Sequence, residues 1–143
     1  MADSTERTVR IERTAKGRYV AHNPRGGTIS FGTDAGTEFT PVELLLAAIG
    51  GCTAIDVDLA TSRHAEPDTF EVVTTGDKIR DDDGNRMANL AVTFTVSFPD
   101  GEQAEAARAI LPRAVRLSHD RLCTVSRTVE LGTPVTAAVV PNP

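Results

Sequence analysis

Two cysteines, Cys52 and Cys123, are the residues in this chain best suited to chemistry. They stand 71 positions apart, so only a folded chain can bring them together. Free cysteine often serves as a small buried hydrophobe, and that is the plain reading of each. Their surroundings argue for more. Gly50-Gly51 precedes Cys52. Two glycines weaken a helix by about 1 kcal/mol each, and in exchange let another backbone or a substrate approach. Cys123 leads into Thr124-Val125-Ser126, a helical start, where a thiol becomes more acidic. A thiolate attacks peroxide, and a nearby second thiol traps the sulfenic acid as a disulfide. Two cysteines from distant segments have the composition of such a pair.

Other reactive side chains are weaker candidates. Asp56 follows Cys52 by one helical turn, and a carboxylate there pushes a thiol pKa up. Glu43 lies nine residues before Cys52, about 13–14 Å along a helix axis, and reads as a cap rather than a catalytic partner. His22, His64 and His119 are scattered. A zinc site from Cys52, His119 and Cys123 lacks the usual ligand spacing. Neither a phosphate loop nor a Gly-x-Ser-x-Gly elbow is present.

The elements that must position the thiols follow from pattern. Thr40, Pro41 and Glu43 form a helix-start signal, with Thr40 as cap and Glu43 three residues on. From there to about residue 63 apolar residues fall on nearly every side, which predicts a buried central helix. Before it, residues 8–13, 18–22 and 28–31 read as three short strands after a disordered tail, 1–7. After it, residues 69–79 and 88–98 alternate with period two and form a long hairpin over the turn Asp81-Asp82-Asp83-Gly84-Asn85. Residues 102–122 predict a second helix with an interruption at Pro112, residues 124–131 a further turn, and 135–140 a terminal strand. The order is βββ-α-ββ-α-β. The expected class is α+β with a mostly antiparallel sheet, one domain over residues 8–143.

Composition narrows the function classes. The chain has 143 residues and a net charge of -5, which disfavours a nucleic-acid partner. No two Lys or Arg residues adjoin, so no membrane-surface patch is expected. Residues 1–10 lack the apolar core of a signal peptide. Asp56 and Asp58 inside the long apolar run argue against a membrane span. The expectation is a soluble cytoplasmic protein whose cysteines are free thiols or a redox pair rather than a structural bridge, without a cofactor or metal.

The run Thr40-Pro41-Val42-Glu43-Leu44-Leu45-Leu46-Ala47-Ala48-Ile49-Gly50-Gly51-Cys52-Thr53-Ala54-Ile55-Asp56-Val57 resembles the first cysteine helix of the OsmC/Ohr family. Leu117-Ser118-His119-Asp120-Arg121-Leu122-Cys123-Thr124-Val125-Ser126 is similar to its second cysteine motif. The resemblance implies an intertwined homodimer with the first-cysteine helices at its centre. It also implies a thiol peroxidase acting on organic hydroperoxides in oxidative or osmotic stress defence. The residue matching Cys52 then attacks the peroxide, the one matching Cys123 resolves it, and a dithiol or a lipoylated protein reduces the disulfide. The alternative is a family dimer without peroxidase activity that binds a small apolar ligand or serves a stress role. The pattern departs from the peroxidases at two points. Val42 stands where they keep a glutamate, with Glu43 one residue on. No arginine lies between Thr28 and Glu43, which leaves Arg25, Arg121 and Arg127 as substitutes for the one that holds the first thiolate.

Overall fold

The computed structural model describes residues 4–141 and divides into two compact units between Leu45 and Leu46. Of the expected 1–7 tail, residues 1–3 lie outside the described residues, and 4–9 are exposed and without regular structure.

The first unit is an antiparallel meander of β1 (Arg10–Ala15), β2 (Arg18–His22) and β3 (Thr28–Gly32). Arg10 faces His22 across the first pair, and His22 faces Thr28 across the second. The β1–β2 turn needs Gly17, whose φ of 72° is left-handed. In the β2–β3 turn the Asn23 side chain accepts from the N–H groups of Arg25 (3.0 Å) and Gly27 (2.8 Å). Tyr19 stacks on Phe31, with ring centroids 5.6 Å apart.

Helix α1 (Pro41–Thr61) opens in this unit and runs into the next. Its start is a capping box: the Glu43 N–H donates to Thr40 Oγ1 (3.2 Å), and the Thr40 N–H donates to Glu43 Oε1 (2.8 Å).

In the second unit β4 (Thr69–Asp81) and β5 (Gly84–Ser97) form one long antiparallel hairpin. Its inward positions include Phe70, Val72, Val92, Phe94 and Val96, all partly buried, and the intervening residues are exposed. That alternation is the one the sequence predicts. Helix α2 (Glu102–Leu117) continues through Pro112, and Ala104 and Ala107 pack against Phe98. A π-turn (Ser118–Leu122) follows, then α3 (Thr124–Leu131), which Gly132 closes in the left-handed conformation.

Two expectations change. The expected strand over 135–140 is not formed; these residues have no regular structure and no ladder, and Val135, Val139 and Val140 are 92%, 93% and 87% exposed. A strand needs a neighbour's N–H and C=O groups, and the segment pairs with none among the described residues. Nor is α1 buried all round. Ile49, Gly50, Thr53, Val57 and Thr61 make one buried stripe, whereas Ile55 and Leu59 are 62% and 63% exposed. By length and composition alone α1 would pass for a membrane span. Gly50 and Gly51 do different work here. A Cβ on Gly50 would run into the Thr74 hydroxyl of β4, so the glycine lets the helix lie close on the strand. Gly51 faces open space.

Candidate active site

Cys52 sits half-buried on α1, one residue before Thr53 of the buried stripe. Cys123 is fully buried and is the N-cap of α3. Its backbone is extended (φ −74°, ψ 100°), as an N-cap requires, and its sulfur takes the place usually held by a Ser or Asp oxygen. Sγ accepts from the Ser126 N–H at 3.4 Å and lies 3.3 Å from Ser126 Oγ. The two thiols, from remote parts of the second unit, are near enough that each perturbs the other's pKa.

The turn before Cys123 makes this proximity possible. At its end α2 widens into the π-turn, and the Cys123 N–H donates to Ser118 O at 2.8 Å. The wider turn swings the chain so that α3 starts at the thiol. Ser118 is fully buried and ties this turn to α1. Its Oγ lies 2.7 Å from Thr53 Oγ1 and donates to Asp56 Oδ2 at 2.8 Å. Thr53 and Asp56 follow Cys52 within about one turn of α1, so this three-residue latch ties the segments that carry the two sulfurs.

The electrostatics separate the thiols. Burial pushes the Cys52 pKa up, and the neighbouring Cys123 adds to that, against a smaller opposing pull from the N–H groups of Val125 and Thr124. Burial also works against ionising Cys123. There the Ser126 hydroxyl and N–H, the Cys52 thiol and the Val125 N–H outweigh it, so its pKa falls below the ordinary thiol value. The N-cap position of Cys123 on α3 favours a negative sulfur there. The resemblance instead points to a thiolate on Cys52.

The other expected site residues lie as follows. The Glu43 carboxylate is engaged in the capping box of the first unit. Arg25 belongs to the β2–β3 turn of that unit. Arg121 is exposed on the π-turn, and Arg127 donates to Asp120 O at 3.4 Å. Among the described residues of the second unit, no guanidinium hydrogen-bonds either sulfur. His119 is turned to Asp120 (3.0 Å) and Glu130 (2.9 Å), and those two carboxylates raise its pKa. No group of three or more His, Cys, Asp or Glu side chains among the described residues could hold a metal ion.

Sequence reading missed Ser118, Thr53 and Ser126. Ser126 had a signal: it stands three residues after Cys123, the spacing of an N-cap and the N–H it accepts from. Ser118 and Thr53 had none, because a buried hydroxyl bridge between remote segments leaves no local pattern.

A mainly apolar cavity of about 440 Å³ lies next to Thr53 and Ser126, with neither cysteine in its lining. Ile49, Val92, Phe94 and Val115 line it, with Arg116, His119 and Glu130 as its charged members. Thr53 and Ser126 also reach it, each bonded to part of the thiol assembly.

Comparison with known proteins gives a consistent picture. A family model for OsmC-like proteins matches residues 32–138. An uncharacterized protein of Mycobacterium tuberculosis is 31% identical over 132 residues, 91% of this chain and 93% of the relative. An OsmC-like protein of unknown function from Vibrio cholerae has the same fold at 13% identity, with a TM-score of 0.71 over 89% of this chain and 95% of that one. An organic hydroperoxide resistance protein of Bacillus subtilis, 17% identical, aligns with a TM-score of 0.52 over 85% of this chain and 90% of its own.

Proposed function

The chain belongs to the OsmC-like family, and from that premise we propose that it is a two-cysteine thiol peroxidase that reduces organic hydroperoxides. Cys52 is the sulfur that attacks the peroxide and Cys123 the one that closes the disulfide. The observation that carries this reading is that two free thiols from remote segments lie near enough to perturb each other, one of them capping α3. The difference in burial supports the division of roles: a peroxide can approach the half-buried Cys52, whereas Cys123 is sealed. The apolar cavity next to Thr53 and Ser126 suits an organic substituent better than hydrogen peroxide. A dithiol or a lipoylated protein is the proposed reductant. A reducible pair of this kind fits a cytoplasmic setting.

We further propose a homodimer as the working form. The support is the exposed apolar stripe of α1, where Ile55 and Leu59 lie open beside Gly51, and the unpaired apolar segment around Val135–Val140. Surfaces of this kind are rarely left to water.

The test is consumption of cumene hydroperoxide with dithiothreitol or dihydrolipoamide. Turnover in the wild type that is lost in Cys52→Ser supports the reading; equal turnover in both sinks it. One observation favours a second reading, a family dimer that binds a small apolar ligand without reducing peroxides. The Cys52 pKa is raised rather than lowered, and an apolar cavity lies next to Thr53. Absence of turnover with saturable binding of an apolar fluorescent probe would support that reading instead.

A further inference from the structure

A hydroxyl carries a single hydrogen, so a chain of hydroxyls has a direction. The latch between α1 and the π-turn is such a chain. Ser118 Oγ gives its hydrogen to Asp56 Oδ2 at 2.8 Å. It has no other hydrogen for Thr53 Oγ1, which lies 2.7 Å away, so across that bond Thr53 is the donor and Ser118 the acceptor. The chain runs from Thr53 to Ser118 to Asp56. Thr53 is left with lone pairs and no hydrogen to offer. Each bond in such a chain polarises the next, so a chain that ends on a carboxylate makes Thr53 Oγ1 a stronger acceptor than a lone hydroxyl.

Thr53 also lines the apolar cavity. It is buried, and it follows Cys52 directly on α1. The other polar side chains of the lining are otherwise engaged or open to water. Ser126 is bonded to Cys123 Sγ, and His119 and Glu130 are bonded to each other. Arg116 is exposed. Ile49, Val92, Phe94 and Val115 supply the apolar wall.

We propose that Thr53 binds the occupant of this cavity by accepting a hydrogen bond from an O–H group on an otherwise apolar molecule. Ser118 and Asp56 are positioning residues that keep Thr53 an acceptor. The ligand class is a small apolar body that carries one hydroxyl or hydroperoxyl group. An ether or a ketone brings lone pairs to lone pairs, and both oxygens lose their water without gaining a bond. The inference rests on the peroxidase reading only where the O–H belongs to a hydroperoxide. There Thr53 fixes the O–H end of the substrate at the residue next to Cys52. An alcohol makes the same bond with no redox chemistry.

The test uses 2-phenylpropan-2-ol, which donates and accepts, and its methyl ether, which only accepts. Both are titrated into the wild type, Thr53→Val, Thr53→Ser and Ser118→Ala, and affinities are read from amide NMR shifts. Movement of the Val92 and Ser126 signals places the ligand in the cavity. Thr53→Val keeps the shape of the side chain and removes its hydroxyl. It should weaken the alcohol by on the order of tenfold and leave the ether unchanged. Thr53→Ser should restore the preference for the alcohol. Ser118→Ala frees the Thr53 hydrogen to turn toward the ligand, so the ether gains and the preference falls. The two Thr53 variants decide the proposal by themselves should Ser118→Ala fail to fold. Residues with only a structural part would weaken both ligands together. That parallel loss, an alcohol affinity untouched by Thr53→Val, or no saturable binding of the alcohol to the wild type overturns the proposal. An unchanged preference in folded Ser118→Ala overturns the positioning role. Turnover of cumene hydroperoxide is measured on the same proteins. If the preference follows Thr53 and no turnover occurs, the cavity assignment stands and the peroxidase reading fails. Turnover with a preference indifferent to Thr53 gives the reverse.

Discussion

His119 carries a sharp prediction at the residue scale. Its two ring nitrogens meet Asp120 and Glu130, joining the π-turn to α3 beside the cavity. The hydrogen bonds to Asp120 and then Glu130 raise its pKa, and the small desolvation of this exposed ring opposes them only weakly. A folded pKa above the unfolded value of about 6.5 means that the clamp is fully present below that pH and is lost as pH rises through the folded pKa. An NMR titration of the wild type should place His119 above the ordinary histidine value, and Glu130→Gln should move it back toward that value. A folded-state pKa at or below the ordinary value would remove the clamp. Because the ring is largely exposed, the effect on stability is small and fades in high salt.

The latch between α1 and the π-turn belongs to the scale of elements. Ser118 is buried with its hydroxyl held by Thr53 and Asp56. Ser118→Ala leaves those two partners short of a bond and should destabilise the fold by about 1–3 kcal/mol. Because the latch also sets how the two sulfur-bearing segments lie, disulfide formation between Cys52 and Cys123 should slow in this variant, measured by quenched thiol labelling below the unfolding temperature. Wild-type disulfide kinetics would make the latch a stabilising contact with no part in the thiol geometry. Gly50 tests the packing of α1 on β4. Gly50→Ala drives a Cβ into the Thr74 hydroxyl and should cost about 1–3 kcal/mol despite the better helix propensity of alanine. Denaturant unfolding of Gly50→Ala, alone and combined with Thr74→Ala, which removes the clashing hydroxyl, measures this. Full tolerance of the methyl group would mean that the helix and strand are less closely packed.

At the scale of the whole molecule, the exposed face of α1 is the feature that asks for a partner. Ala47, Ala48, Gly51, Ile55 and Leu59 lie open on one side of the helix. A second copy seated there, as proposed, would account for a helix with a normal buried stripe being apolar on its other side too. Light scattering coupled to size exclusion should then give twice the chain mass, and Ile55→Glu with Leu59→Glu should give the monomer mass or aggregation. A wild-type protein that runs as a monomer at micromolar concentration would leave the stripe without this explanation. Gly51 gives an independent check. In a lone chain, Gly51→Ala adds a methyl group to open space and should stabilise the helix by roughly 1 kcal/mol. Under a closely packed second helix the sign reverses.

Much of this arrangement was legible in the residues. Alternation fixed β4 and β5, because an antiparallel hairpin with one covered face imposes period two on its side chains. Thr40, Pro41 and Glu43 marked the start of α1, since helix caps are local chemistry written in adjacent residues. Cys123 beside Thr124-Val125-Ser126 marked the start of α3 for the same reason. The rest needed tertiary structure. Local pattern cannot show that Ser118, Thr53 and Asp56 meet, or that Gly50 and not Gly51 is the glycine the packing requires, because those contacts join segments far apart in the chain. It missed the state of residues 135–140, whose β-forming composition is satisfied only if a neighbouring edge exists. Above all, the sequence identified two thiols but not that the sulfur of Cys123 caps α3, because that position is set by the π-turn that carries Cys123 to the first N–H groups of the helix.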